Sequence, residues 1–234
     1  MPRRGRTVPY GEAHARQLSP NSGRQLERLA ALSDGIFAVA MTLLVLGLSV
    51  RASSALHPPR PLWVPGAVGS ERAVWDVLRR LAPHLLTYLM SFLTLGIFWV
   101  GQQTQLSQFR RSDRDLTWIH LMFLLGVSLM PFSTMLLADY LTYRLAIAVY
   151  WLNIVLLGGL LYVSVRYARR ARLIKEDVTA EMTAASERRI IVYQALYAFG
   201  ALLSVISTYL SIGFIIVVQL NAAIAPRFWR LDRF

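Results

Sequence analysis

Charged side chains vanish from this sequence in five long blocks, residues 35–50, 81–109, 116–138, 145–165 and 190–226. That pattern limits the fold more than any other feature. A bilayer core about 30 Å thick takes roughly 20 helical residues to cross, and only helices or closed barrels satisfy their own backbone inside it. The first block, extended back to Leu29, gives 22 residues whose single charge is Asp34 near the entrance. The second ends in glutamines (Gln102, Gln103, Gln105, Gln108) and leaves the lipid there. The last block is 37 residues long. As one helix it would reach about 55 Å, so it reads as a hairpin turning near Ser207–Gly213. The fold expected is an all-α membrane protein with six transmembrane helices, at about 30–50, 82–104, 116–138, 145–166, 189–208 and 211–226. These sit in a membrane domain spanning 28–228. A basic tail, 1–27, is expected to be disordered and cytoplasmic, and 229–234 to be a short basic cytoplasmic tail. The start of the chain has no signal-peptide pattern, so it is expected to stay in the mature protein.

Orientation follows from the arginines. With six spans and the N-terminus inside, the cytoplasmic segments carry 19 Lys/Arg and the opposite side carries 6. This asymmetry is what the positive-inside rule requires, with both termini cytoplasmic. The formal net charge of +12 is therefore a topology signal that also suits anionic lipid headgroups, and nucleic acid is not an expected partner.

Composition narrows the chemistry. Only 16% of residues are charged, and there is no cysteine, which excludes a disulfide scaffold, thiol catalysis and cysteine-ligated metal. No histidine pair has metal-ligand spacing, and no HExxH, GxSxG or phosphate-binding glycine loop occurs. His84 and His120, near the starts of the second and third spans, read as helix-end or interhelical hydrogen-bonding residues rather than ligands. Neither an enzyme nor a metal site is expected, and no cofactor.

The first span is the unusual one. Ser33-Asp34 can be read as a helix-capping pair favoured by the helix dipole. It can equally be read, with Arg28, as a polar network holding this end of the helix against its neighbours. On a helical wheel with Val39 at zero, Leu46 falls at about −20°, Leu43 at about +40° and Thr42 at about −60°. These four make one stripe, and Asp34, at about −140°, points away from it. An apolar stripe on a membrane helix is by itself most often a packing face.

The run from Arg28 through Leu32-Ser33-Asp34 to Thr42-Leu43-Leu44 resembles the opening helix of the transmembrane-protein-175 family of potassium channels. Ser91-Phe92 and Phe98-Trp99 in the second span, and Leu124 to Ser133 in the third, agree with it. The resemblance implies a homotetramer in a prokaryotic plasma membrane, its first helix lining a central pore. Potassium passes there through an apolar constriction instead of a carbonyl filter. The narrowest ring then falls on Val39, with Leu43 and Leu46 above it and Thr42 beside them. Arg28, Ser33 and Asp34 become the polar network, supported by Trp99, Gln102 and Gln103. Three positions depart from the family pattern: Leu32 replaces a phenylalanine, Val39 a larger aliphatic residue, and Gln102-Gln103 a pair of histidines. Two other readings stand beside it, an ion-coupled secondary transporter and a non-conducting relative. The first would call for a mid-membrane carboxylate or broken helices, for which Pro131 and Gly158-Gly159 are the only signs.

Overall fold

The structure, a computed structural model, describes residues 21–48 and 67–224. It is built from seven α-helices: α1 Asn21–Leu46, α2 Ala67–Gln108, α3 Arg114–Ser128, α4 Met130–Asp139, α5 Arg144–Arg170, α6 Ala180–Leu202 and α7 Thr208–Ile224. Helices α3 and α4 form one rod interrupted at Leu129, so the described residues form six rods. The interruption has a local cause. Pro131 lacks the N–H that would bond back to Val127, and the following helix restarts with that proline in its first turn. Gly158-Gly159, by contrast, lies within an unbroken α5.

Among the described residues four rods are long and apolar enough to cross a membrane, Arg24–Leu46, Trp75–Gln108, Arg114–Asp139 and Arg144–Arg170, and Thr208–Ile224 is a shorter apolar helix. In lipid, such helices do not gain by leaving water; tight packing and interhelical hydrogen bonds hold them together. The central cluster joins Phe37 and Leu44 of α1, Met90 and Leu95 of α2, Phe123 of α3 and Tyr150 of α5, all nearly inaccessible. Tyr150 also carries a polar chain through this core. Its hydroxyl lies 3.4 Å from Ser91 Oγ and 3.1 Å from Thr94 Oγ1. Thr134 donates to Ser91 at 2.6 Å, and the Gln219 amide donates to Thr94 at 2.7 Å. Helices α2, α4, α5 and α7 are thereby tied through groups that would be costly to bury alone.

Several boundaries differ from the sequence expectation. Part of the tail read as disordered is helical, because α1 starts at Asn21. Leu26 and Leu29 give the reason: they pack into a second apolar cluster with Leu106, Phe109, Leu116, Ala168 and Leu173. Residues 67–80, read as part of the external loop, belong to α2. That segment is rich in helix formers, and Val77 and Leu81 line a pocket against Leu44 and Met135. The hairpin between the last two helices turns at 203–207, earlier than expected. Ser211 is inside α7, where its hydroxyl donates to Gly200 O at 2.7 Å and draws the two helices together. Residues 1–20, 49–66 and 225–234 lie outside the described residues, and with them most of the expected tail 1–27, the expected tail 229–234 and the ends of the first and last expected spans.

Candidate functional site

Helix α1 has two unlike faces. Leu29, Ser33, Phe37, Ala40 and Leu44, spaced three and four residues apart, are buried against α2, α3 and α4. The other face is bare: Val39 is 57% exposed, Leu43 43% and Leu46 71%, and Thr42 is exposed beside them. All four residues of the stripe thus share one open arc. Thr42 Oγ1 donates to the Val39 carbonyl three residues back (2.8 Å), which leaves the hydroxyl's lone pairs free to accept. On one shoulder of the arc an apolar groove runs between α1 and α3, lined by Leu32, Val39, Leu43, Leu121, Leu125 and Ser128. Leu32, where the family pattern has phenylalanine, is 46% exposed on that shoulder.

The other shoulder carries the polar anchor. Asp34 Oδ1 accepts from Trp99 Nε1 at 2.8 Å and from Gln103 Nε2 at 2.5 Å. One residue earlier, Ser33 Oγ donates to Gln102 Oε1 in full burial. The Gln102 amide reaches His120 Nδ1 at 3.4 Å, and His120 Nε2 lies 3.0 Å from Ser164 Oγ. A continuous polar chain therefore runs from α1 through α2 and α3 to α5. Ser33, Asp34, Trp99, Gln102 and Gln103 come together as one group, with both glutamines facing α1. Neither Ser33 nor Asp34 acts as a cap, because both lie well inside α1. Arg28 does not join them: it is exposed, with no ion pair or hydrogen bond among the described residues.

Both histidines bond between helices, as their positions suggested. His84 Nε2 meets Asp139 Oδ1 at 3.1 Å, bridging α2 and α4 at the opposite end of the bundle. Asp139 and Ser164 were not anticipated. The signal for Asp139 was its place just past one apolar block while His84 opens another, which puts both at one level in antiparallel rods. Among the described residues no group of three or more His, Cys, Asp or Glu could hold a metal ion.

The family model described as "Endosomal/lysosomal potassium channel TMEM175" matches residues 28–131, which hold the open stripe and its anchor. A protein of Chamaesiphon minutus named a potassium channel is 30% identical over 204 residues, covering 84% of this chain and 93% of that one. A potassium channel of Streptomyces collinus is 35% identical over 114 residues, covering 49% of this chain and 48% of its relative. The crystal structure of a lysosomal potassium-selective channel TMEM175 homologue from Chamaesiphon minutus superposes with a TM-score of 0.68 at 27% identity. It is covered completely, by 88% of this chain. With bacterial relatives and four helices long and apolar enough to span a bilayer, this is a multi-pass protein of the plasma membrane. The chain belongs to the TMEM175 family of potassium channels and is an ion channel rather than an enzyme.

Proposed function

We propose that the chain conducts cations passively, preferring potassium, as a homotetramer whose four α1 helices line the pore. The observation that carries this reading is the bare arc of α1. An isolated subunit leaves Val39 and Leu46 more than half exposed while the opposite face of the same helix is buried to within a few per cent. Rotational symmetry would turn each residue of that arc into a ring around an axis. The groove beside α3 would then seat a neighbouring copy, leaving the centre of the arc for the pore.

Val39 forms the constriction in this reading, with Leu43, Leu46 and Thr42 continuing the wall. An apolar ring narrower than a hydrated ion acts as a hydrophobic gate, excluding water or stripping part of the hydration shell. Potassium holds that shell less tightly than sodium, so it passes more easily. Valine is smaller than the larger aliphatic residue of the family pattern, so the ring is wider and the preference modest. Asp34, Ser33 and their partners Trp99, Gln102 and Gln103 set the rotation of α1, and Arg28 sits beyond them at the cytoplasmic mouth. Both chain termini lie on that side, and potassium passes without any cofactor.

Flux through liposomes containing the purified protein tests this. Val39→Asn should raise potassium flux and erode the preference over sodium, and Val39→Trp should stop conduction. Unchanged flux and reversal potential in both variants would remove Val39 from the pore.

A further inference from the structure

Helices α5 and α6 form the flank of the subunit away from α1, and α6 packs chiefly on α5 and α7. Their outer faces are apolar along most of their length: Leu152, Leu156 and Val163 on α5, Ile191, Val192 and Phe199 on α6. At the arginine-rich end of the bundle both faces finish in exposed arginines. Arg166 and Arg170 continue the α5 stripe at helical spacing, and Arg188 continues that of α6.

Among the described residues no carboxylate pairs with Arg166, Arg170 or Arg188. Glu187 points between the two helices and is taken by Arg169 at 3.0 Å, its side chain 12% exposed. Glu176 is engaged by Arg110 at 3.3 Å. Arg166 is held in place without losing its charge. Its guanidinium donates to Tyr162 Oη at 2.8 Å and lies 6.0 Å from the ring centre, one turn deeper on the same helix. A tyrosine below an arginine at the edge of an apolar stripe suits the boundary between acyl chains and headgroups.

We infer that this face binds an anionic phospholipid of the adjoining leaflet. Its phosphate lies among Arg166, Arg170 and Arg188, and its chains lie along Val163, Leu156 and Ile191. Charge complementarity selects the anionic headgroup: Arg166, Arg170 and Arg188 are exposed at one end of two packed helices with no carboxylate partner among the described residues, and guanidinium matches phosphate oxygens in paired hydrogen bonds. The apolar stripe directly below selects a lipid over a soluble phosphate. Because the Arg169–Glu187 pair joins α5 to α6 beside this patch, an occupied site would also brace the junction of the two helices.

Native mass spectrometry of the purified protein in detergent, with phosphatidylglycerol or phosphatidylcholine added, tests this. The wild type should retain phosphatidylglycerol at least about tenfold better than phosphatidylcholine. The triple variant Arg166→Gln/Arg170→Gln/Arg188→Gln should lose most of that preference. A control carrying Arg24→Gln, Arg111→Gln and Arg114→Gln removes the same charge from the same end of the bundle, on other elements, and should keep it. A lysine triple at 166, 170 and 188 should fall only a few-fold. If the glutamine triple does not assemble, Arg166→Gln/Arg170→Gln is read in its place. Equal loss in the control would mean a diffuse basic surface and overturn the site, as would no loss in either variant. Displacement of the bound lipid by glycerol phosphate would overturn the lipid assignment.

Discussion

At Gly158 of α5 a side chain of α6 lies directly on the backbone. A Cβ on this residue would lie 1.6 Å from Gln194 Nε2 and 2.4 Å from its Cδ, so the glutamine fills the space a side chain would need. Gln194 is itself anchored, donating to Ile154 O at 3.1 Å. Gly158→Ala should therefore expel Gln194 and cost roughly 1–3 kcal/mol, as overpacking of a tight core does. Thermal unfolding in detergent measures it. The double variant Gly158→Ala/Gln194→Ala should recover most of the loss, whereas no recovery would place the clash elsewhere. Gly159 makes the contrast: a Cβ there meets nothing within 4 Å, and Gly159→Ala should be tolerated. At this scale the sequence was informative only where residues repeat along one helix. The open stripe of Val39, Leu43 and Leu46 was legible because helical period alone groups those side chains. The partners of Asp34 lie 65 and 69 residues away on another rod, and spacing carries no trace of such a contact. They entered only through the family resemblance.

Elements were legible inside the lipid and much less so at its edges. Charge-free blocks mark the spans because burying charge in hydrocarbon is expensive, but nothing comparable marks where a helix stops once it reaches water. Packing decides there, as Leu26 and Leu29 do for α1. The corner between α2 and α3, at the arginine-rich end of the bundle, is the clearest case. Arg110 N donates to Leu173 O at 2.8 Å and Lys175 N to Gln108 O at 3.0 Å, pinning the α5–α6 loop across the end of α2. The loop bends back at Arg172, whose φ of 54° is the one left-handed non-glycine among the described residues. Asp113 locks this corner from the other side. Its Oδ1 accepts from Leu116 N at 2.8 Å, capping α3, and its Oδ2 accepts from Tyr167 Oη at 2.8 Å, holding the end of α5. Asp113→Ala removes both bonds and should cost about 1–2 kcal/mol. Tyr167→Phe removes one and should cost less, because the cap survives. Melting temperatures of the two variants should fall in that order, and an Asp113→Ala protein that melts with the wild type would show the corner to be held by the apolar cluster alone.

For the whole molecule, two of the exposed apolar surfaces call for different environments. In the proposed arrangement the flank formed by α5 and α6 meets lipid. The bare arc of α1 carries the specific motif and an adjoining groove, and in the proposed tetramer it turns inward. The absence of native cysteine makes the distinction measurable, since any disulfide must come from an introduced residue. A disulfide forms only when two Cα atoms come within roughly 4.4–6.8 Å. Leu46→Cys puts a thiol on the most exposed residue of the arc, where symmetry-related copies would converge near the axis. Leu152→Cys puts one on the outer face of α5, 61% exposed and turned away from α1. Under mild oxidation in membranes, Leu46→Cys should yield disulfide-linked pairs and lose potassium flux as the pore is bridged, with flux restored by reduction. Leu152→Cys should stay monomeric on a denaturing gel and conduct throughout. Cross-linking through Leu152→Cys alone would turn the molecule around, placing α5 at the subunit contact and α1 against lipid. Val39 would then have no pore to line, and the motif that begins at Arg28 would need a different role.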